Sequence, residues 1–271
     1  MAIITISRQK GSLGSFIGQA LKEELGYAYF DRDILEQQLT SKYGVPEQFF
    51  ARFDEKKPPA WDVFVGGKDK YLHFLKTTIY DFAQQGNCII AGRGGQALFQ
   101  NFPGVLRVSV VAPAEVRIER IRTRFNYDYR LAEQVVRNSD HDRAGFHRFF
   151  FHVNWEDYHF YDLVINTRSL TTETGVQLIK DALPAFGTAD KQRDTENRLK
   201  DLCLGQHVIT NISYEENIPV QYIEVTSVDG VVTLKGSVMI FDDVKRSETA
   251  ARKVPGVKDV VNELTVMRHG R

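Results

Sequence analysis

The stretch that decides the fold runs Ile3-Ile4-Thr5-Ile6-Ser7-Arg8-Gln9-Lys10-Gly11-Ser12-Leu13-Gly14-Ser15. Its first four residues are apolar or β-branched and predict a buried strand, and the small residues that follow predict a turn. Apolar residues at helical spacing from Phe16 to Leu25 predict an amphipathic helix that ends at Gly26. Such a turn favours an anion such as phosphate, because backbone N–H groups and the positive end of the helix dipole point towards it.

The turn departs from the phosphate-binding pattern G-x-x-x-x-G-K-S/T. When Ser15 is placed on the hydroxyl position, Arg8 and Leu13 stand on the two glycines and Gly14 stands on the lysine. The side chain of Leu13 would also crowd a phosphate that a glycine would admit. Two interpretations of the turn therefore stay open: a phosphate-binding loop and an ordinary connection between a strand and a helix.

The composition is neutral and argues against a nucleic-acid partner. The 271 residues include 35 Lys and Arg and 35 Asp and Glu, so the net charge is zero. No apolar stretch approaches the roughly 20 residues of a membrane span, and the N-terminus has no basic region of a signal peptide. Cys88 and Cys203 lack metal-ligand spacing, which indicates reduced thiols in a cytoplasmic protein. We expect no integral membrane segment.

Residues 1–185 alternate between predicted strands and helices. Strands are predicted at 3–6, 27–31, 88–91, 105–111 and 163–166, with helices between them, whereas prolines and glycines make 44–70 irregular. This alternation predicts an α/β domain with a parallel sheet covered on both faces. Ligands of such sheets bind beyond the carboxyl ends of the strands, where Ser7–Ser15, Asp31–Asp33 and Gly92–Gly95 lie.

The remainder of the chain predicts a second, smaller domain. Gly187 and Thr188 interrupt the helical pattern, so residues 186–194 are predicted to be a linker. Residues 195–271 are predicted to form a small α+β domain. A helix is predicted at about 190–204, strands at 208–214, 221–227, 231–238 and within 257–266, a helix at 242–253 and a hairpin turn at Asp229-Gly230.

Six segments carry a resemblance to a known family. They are Ile4-Thr5-Ile6-Ser7-Arg8-Gln9 with Gly11-Ser12, Tyr29-Phe30-Asp31-Arg32-Asp33, Ala91-Gly92-Arg93-Gly94-Gly95, Ala112-Pro113 with Arg117 and Arg120, Asp140-His141-Asp142-Arg143, and Leu163-Val164-Ile165-Asn166-Thr167. In this order and spacing, residues 1–185 resemble the cytidylate kinase-like family of P-loop nucleoside monophosphate kinases. The resemblance implies a P-loop kinase-type parallel sheet flanked by helices, with ATP and Mg²⁺ as cofactors.

The C-terminal part resembles a BON domain. The resemblance covers residues 190–267 and rests on Val228-Asp229-Gly230-Val231-Val232-Thr233-Leu234-Lys235-Gly236 and Val254-Pro255-Gly256-Val257-Lys258-Asp259-Val260-Val261-Asn262. BON domains are binding modules without catalytic residues. The resemblance therefore implies a protein or small-ligand partner for this domain, while turns and bends are the structural explanation of its glycines.

The predicted catalytic residues are Arg93, Arg143 and Lys10. Phosphoryl transfer needs positioning and cations on the phosphate oxygens rather than covalent help. Arg93 lies at a strand end, where a guanidinium can hold the acceptor phosphate through two parallel hydrogen bonds. Arg143 resembles an arginine of the family's lid, and Lys10 would supply the charge of the missing lysine. The alternative for Arg93 is a structural arginine that caps a turn. The alternative for Arg143 is a structural role, and the alternative for Lys10 is an exposed turn lysine.

Nucleotide binding is predicted for residues of the first turn and for one helical arginine. These residues are Arg8, Gly11, Ser12, Gly14, Ser15 and Arg120. Arg117, Arg120 and Arg124 share one face of a predicted helix, for which a solvated charged face is the alternative. Ser15 is predicted either to ligate Mg²⁺ or to cap the helix, because serine is a preferred N-cap residue.

Asp31 and Asp33 resemble the start of the family's acceptor-binding segment. The resemblance therefore implies that both residues bind substrate. This chain has Glu36 and Gln37 where cytidylate kinases continue into a Tyr-Arg pair. It also has Gly94 in place of the carboxylate that helps those enzymes to read the base. The acceptor therefore stays open between a cytidylate-like nucleotide and another small molecule. His147 and His152 flank aromatic residues and are predicted to be packing residues.

Three functions follow, in this order of preference. The first is ATP-dependent phosphoryl transfer to a nucleoside monophosphate or another small acceptor, which Arg93 and the lid-like arginines favour. The second is a catalytically weak nucleotide sensor whose BON-like domain binds a partner or a small ligand, which the missing lysine and Leu13 favour. The third is an interaction protein in which the first domain is a scaffold.

Overall fold

The computed structural model describes residues 1–45 and 67–267. The chain divides into two compact units, Met1–Thr195 and Glu196–Arg271. Most of the segment that was predicted to be irregular, 44–70, lies outside the described residues. Its end is helical, because a helix begins at Gly67.

The first unit has the predicted alternation of strands and helices. Its elements are β1 (Ile3–Arg8), α1 (Gly14–Leu25), β2 (Ala28–Phe30), α2 (Arg32–Tyr43), α3 (Gly67–Gln84), β3 (Cys88–Ala91), α4 (Gly95–Leu98), β4 (Val105–Val111), α5 (Ala114–Phe125), α6 (Tyr129–Phe151), β5 (Leu163–Asn166) and α7 (Thr172–Ala182). Short 3₁₀ turns lie at Tyr158–Phe160 and Leu183–Ala185. The α/β prediction is confirmed for this unit.

The five strands form one parallel sheet in the order β2-β3-β1-β4-β5. Apolar residues of β1 and β4 pack against Ile17 and Leu21 of α1 and against Val176 and Ile179 of α7. The central strand β1 is thus buried and has β3 on one side and β4 on the other. Because the chain passes to both sides of β1, the carboxyl end of this strand is the point at which ligands bind in open α/β sheets.

The second unit contains a three-stranded sheet in the order β6-β7-β8. Strands β6 (Gln221–Val228) and β7 (Val231–Val238) are antiparallel, and β8 (Asp259–Val266) runs parallel to β7. Asp229 and Gly230 both have positive φ, as a two-residue hairpin turn requires. Helix α9 (Phe241–Arg252) connects β7 to β8. The prediction of a small α+β fold is confirmed.

One strand predicted for this unit, at 208–214, is wrong. Helix α8 (Ala189–Thr210) continues through it into a π-helical turn, Asn211–Glu215. The β-branched residues of the segment favour a strand, but Leu204, Val208 and Ile212 recur every four residues and are all buried in one core. Burial of this helical face outweighs the local preference.

The predicted linker, residues 186–194, is partly helical, because α8 already begins at Ala189. The boundary between the two units falls one residue after the predicted linker, between Thr195 and Glu196. Thr195 contributes to the first unit, since its hydroxyl accepts a hydrogen bond of 2.9 Å from the buried N–H of Gly104. That residues 186–194 link two independently folding units remains a prediction.

Both cysteines, Cys88 and Cys203, are buried free thiols. Burial raises the pKa of the Cys88 thiol to about 12. In the described ranges, 1–45 and 67–267, the chain has no helix with the length and apolar composition that crossing a bilayer requires.

The hydroxyl of Thr195 gives a test of where the first unit ends. Thr195→Val keeps the size of the side chain but leaves the buried Gly104 N–H without its acceptor, which costs about 1–3 kcal/mol. We expect the free energy of unfolding of the full chain to fall by that amount in urea. Fluorescence reports the first unit selectively, because both tryptophans, Trp61 and Trp155, belong to it.

Thr195→Ser is the matched control, since it keeps the hydroxyl and removes only a methyl group. Its loss of stability should stay below about 1 kcal/mol. Equal losses in the two variants would contradict the role of the hydrogen bond.

Candidate active site

A cavity of about 800 Å³ opens at the carboxyl end of β1. The loop after β1, the first turn of α1 and one face of α5 form its walls, together with Arg143 of α6. Seven residues that the sequence predicts to be functional line it: Arg8, Lys10, Gly11, Gly14, Ser15, Arg120 and Arg143. The cavity thus brings together residues that are far apart in the sequence, from the loop, α5 and α6.

The N-terminus of α1 faces this cavity without a side-chain cap. Its N-cap residue is Leu13, and no side chain accepts a hydrogen bond there. The first N–H groups of a helix have no intrahelical acceptor, and the first turn of α1 contains no acidic residue. This end of the helix is therefore suited to an anion.

Ser15 is not the N-cap, so of its two predicted roles the capping role is wrong. It is the second residue of the helix, its side chain is exposed, and it lines the cavity. Leu13 has a left-handed backbone with a φ of 64°. Such a backbone costs about 1–2 kcal/mol for a residue other than glycine, which explains why the phosphate-binding pattern has a glycine at this position.

Gly11 is held against the backbone of α5. It has a φ of 82°, and a Cβ atom there would lie 2.9 Å from the carbonyl oxygen of Arg117. Substitution by valine would therefore displace the loop as well as obstruct a ligand. Gly11→Val is consequently a poor probe of binding alone, because it would also lower stability.

Arg117 is buried and ties three segments together. Its Nε donates to the Ala112 carbonyl at 2.9 Å, and one terminal nitrogen donates to the Lys10 carbonyl at 3.5 Å. Both terminal nitrogens donate to the carboxylate of Asp140 on α6, at 3.0 and 2.9 Å. This side chain braces the loop and does not line the cavity.

Arg120 also contacts the loop, but it does line the cavity. Its guanidinium donates to the Gly11 carbonyl at 3.2 Å, and to the hydroxyl and carbonyl of Thr167 at 3.0 and 2.6 Å. The Thr167 hydroxyl in turn donates to the Ser12 carbonyl at 2.9 Å. Ser12 is fully buried, so it supports the loop through its backbone instead of lining the cavity.

The two other predicted cations at this site have different surroundings. Arg143 donates to the carbonyl and the hydroxyl of Ser139, one turn earlier in α6. Lys10 is exposed, and its Nζ lies 6.0 Å from the centre of the Phe125 ring. Both side chains remain within the cavity wall, and the predicted catalytic roles of Arg143 and Lys10 stay predictions.

An aromatic cluster at the cavity mouth was missed by the sequence analysis. The Arg124 guanidinium carbon lies 4.9 Å from the centre of the Phe16 ring and 5.3 Å from that of Phe125. Phe125 also stacks on Tyr127 at 5.5 Å. These three aromatic rings are exposed. The only sequence signal for the cluster is the aromatic pair Phe125 and Tyr127 directly after a helix rich in arginine.

Arg93 lies apart from the residues that line the cavity. It follows β3, the neighbour of β1 in the sheet, and its exposed fraction is 4%. Gly92, Arg93 and Gly94 all have positive φ, and the ring of Phe151 packs against Gly94. A left-handed arginine is strained, and strain of this kind concentrates at functional sites. Its assignment to an acceptor phosphate remains a prediction.

The predicted substrate residues Asp31 and Asp33 begin α2. Asp31 is its N-cap, and one carboxylate oxygen accepts from the N–H groups of Asp33 and Ile34 at 3.0 and 3.3 Å. Asp31 therefore has a structural role in addition to the predicted one. The Asp33 side chain is exposed.

The packing role predicted for His147 is confirmed, whereas the one predicted for His152 is wrong. His147 is buried, and its ring stacks on Trp155 at 5.9 Å. His152 is exposed, and it terminates α6 in a left-handed conformation with a φ of 56°.

The described residues contain no group of three or more His, Cys, Asp or Glu that could hold a metal ion. The hydroxyl of Ser15 is exposed at the cavity beside the uncapped helix end. Its predicted role as a ligand of Mg²⁺ stays a prediction.

The parallel sheet and the loop after β1 define a class of protein, the α/β domains of P-loop kinase type. The sequence model of the cytidylate kinase-like family matches residues 3–169, more than half of the chain. The chain therefore belongs to the cytidylate kinase-like family. Residues 204–268 match the BON domain, which accounts for the fold of the second unit.

Relatives of the first unit are known from several organisms. A cytidylate kinase from Archaeoglobus fulgidus is 24% identical over 66% of this chain and 93% of its own length. One from Natronomonas pharaonis is 24% identical over 71% of this chain and 95% of its own length. An uncharacterized protein from Eubacterium ventriosum shares the fold, with a TM-score of 0.53 and 16% identity over 68% of this chain and 99% of that chain.

The pair formed by Arg117 and Asp140 allows a test of the brace behind the cavity. Asp140→Ala leaves a buried guanidinium without its counter-charge, which costs about 3–5 kcal/mol when the pair is fully buried. Because the Asp140 side chain is 25% exposed, we expect the lower end of that range. Urea denaturation of the full chain, followed by tryptophan fluorescence, measures the loss.

Asp142→Ala removes the same charge from the same helix and is the control. It should change the free energy of unfolding by no more than about 0.5 kcal/mol. A loss of stability in Asp142→Ala as large as that in Asp140→Ala would refute the bracing role.

Proposed function

We propose that the first unit is a nucleotide kinase that transfers the γ-phosphoryl group of ATP to a nucleoside monophosphate or another small acceptor. The observation that carries the proposal is the uncapped N-terminus of α1 at a cavity of about 800 Å³. Arg120 and Arg143 line the same cavity, so backbone donors and guanidinium groups converge on one anion-binding region. Similarity to cytidylate kinases supports a kinase rather than the nucleotide sensor.

Cationic and aromatic side chains both line the cavity, which suits a nucleotide. The loop and the start of α1 would bind the phosphates. At the mouth, the exposed rings of Phe16 and Phe125 and the guanidinium of Arg124 offer flat surfaces on which a purine ring could stack. We therefore include Phe16, Arg124 and Phe125 in the proposed ATP site.

The proposed reaction is an in-line displacement. An oxygen of the acceptor attacks the γ-phosphorus, the bond from that phosphorus to the oxygen bridging to the β-phosphate breaks, and ADP leaves with the electron pair. When bound, Mg²⁺ would neutralise phosphate charge, and Ser15 would hold it. Arg120 and Arg143 stabilise the charge that develops on the transferred group.

Arg93 is proposed to hold the acceptor. It follows β3, which lies next to β1, and it has a left-handed backbone of the kind that concentrates at functional sites. Asp31 and Asp33, at the end of β2, complete this part of the proposal. A cytoplasmic location and a partner for the BON domain are also proposals.

An assay of ADP release with a panel of nucleoside monophosphates tests the function. We expect the full chain with ATP and Mg²⁺ to release ADP faster with its proper acceptor than with water alone. Calorimetry with ATP provides a measurement that does not depend on the acceptor. Absence of ATP binding up to millimolar concentration would refute the proposal.

The role of Arg93 has a separate test. Arg93→Ala removes charge-assisted hydrogen bonds worth roughly 1.5–3 kcal/mol, so we expect the KM of the acceptor to rise about 10- to 150-fold. Arg93→Lys keeps the charge but loses the planar fork, and it should also impair transfer. The affinity for ATP should stay unchanged in both variants, and an unchanged acceptor KM in Arg93→Ala would refute the assignment.

A further inference from the structure

The two most unusual residues of the loop have exchanged places relative to the phosphate-binding pattern. In G-x-x-x-x-G-K-S/T the first position is a glycine and the seventh is a lysine. With Ser15 on the last position, this chain has a cation, Arg8, at the first position and Gly14 at the seventh. Replacement of the lysine by glycine alone would remove a positive charge from the loop. The exchange keeps one glycine and one cation.

The two positions are in direct contact. A Cβ atom on Gly14 would lie 2.5 Å from the Cβ of Arg8, 3.3 Å from its Cγ and 3.1 Å from the Cβ of Val110. The first of these distances is too short for a contact between two carbon atoms of different side chains. As long as an arginine occupies position 8, position 14 therefore cannot carry a side chain without moving the loop.

The backbone conformation does not explain this glycine. Gly14 is the first residue of α1, and its φ lies outside the positive range that favours glycine, unlike that of Gly11. Glycine is unfavourable within a helix, since it loses the most conformational freedom on folding. The stem of Arg8 is the observed reason for the missing side chain.

Arg8 and Gly14 line the same cavity, together with Ser15. In the usual pattern the lysine stem rises from the first turn of the helix towards the β- and γ-phosphates. Here the arginine stem passes over Gly14 from the end of β1. A guanidinium can bind phosphate through two parallel hydrogen bonds, whereas an ammonium group is a point charge.

We infer that Arg8 supplies to the ATP phosphates the positive charge that the lysine supplies in the usual loop, and that Gly14 is the glycine that makes room for it. This inference rests on the proposed function, because it assigns a group within the proposed ATP site. It distinguishes Arg8 from Lys10, which is exposed beside Phe125.

The charge is tested with variants that keep the stem of Arg8. Arg8→Gln removes the charge and should weaken ATP binding at least about 10-fold, measured by calorimetry on the full chain with Mg²⁺. Arg8→Lys keeps the charge but loses the planar fork, so its loss of affinity should be smaller than that of Arg8→Gln. Lys22→Ala removes one charge from the last turn of α1, outside the cavity, and should leave the affinity unchanged.

The exchange is tested with a double-mutant cycle. Gly14→Lys alone should weaken ATP binding and lower the Tm, since its stem collides with that of Arg8. Arg8→Gly alone should weaken binding through loss of the charge. The double variant, Arg8→Gly with Gly14→Lys, restores both features of the usual pattern, and it should bind ATP more tightly than either single variant.

The steric part is measured without any ligand. Gly14→Ala should lower the Tm of the chain with Arg8 by more than it lowers the Tm of the Arg8→Gly chain. Equal losses in the two backgrounds would overturn the claim that the two positions are coupled. The comparison of Tm values needs no nucleotide. It therefore still tests the coupling if a side chain at position 14 contacts Val110 and the double variant of the cycle binds ATP poorly.

Failure of the inference and failure of the proposed function have different signatures. If the unsubstituted chain does not bind ATP, the proposed function is wrong and the role of Arg8 falls with it. If the chain binds ATP but Arg8→Gln binds equally tightly, only the inference is overturned. Loss of binding in Lys10→Ala together with normal binding in Arg8→Gln would assign the charge to Lys10 instead.

Discussion

The buried guanidinium of Arg117 is the interaction on which the rest of the first unit's site depends. Through one side chain it joins the end of β4, the loop after β1 and helix α6. Its backbone also forms the surface against which Gly11 packs. A charge buried in this way requires its partner, because an uncompensated guanidinium in the interior is strongly unfavourable. The loop is therefore fixed relative to α6, the helix that carries Arg143, through Arg117 and the carboxylate of Asp140.

The fold could be predicted from the sequence to a large extent, because local and global signals agree. Ile3 and Ile4 are apolar at consecutive positions, as a strand buried on both faces requires, and Gly26 ends α1 where the helical spacing stops. The local preference and the spacing of buried residues disagree at 208–214. There the β-branched residues favoured a strand, while the spacing of Leu204, Val208 and Ile212, which decides burial, favoured a helix.

The candidate site was less predictable, because the sequence reports which residues are present and not what each side chain contacts. The loop and the arginines of α5 could be identified from their order and spacing. That Arg117 braces the site whereas Arg120 lines it depends on hydrogen bonds to Asp140, Ala112 and Thr167, which lie far from the loop in sequence. The aromatic cluster of Phe16, Phe125 and Tyr127 was missed for the same reason. Each ring is an ordinary exposed residue in the sequence, and only the packing of α1 near the end of α5 brings Phe16 close to the other two.

The sheet of the second unit has a consequence for association between chains. A sheet of three strands has two open edges, and an open edge is a template on which a strand of another molecule can add. Strand β6 interrupts its register between Gln221 and Glu224, and Tyr222 within the interruption has a φ of 53°. A bulge of this kind twists the edge and misaligns its free N–H and C=O groups. The backbone of β6 itself therefore opposes growth of the sheet at this edge.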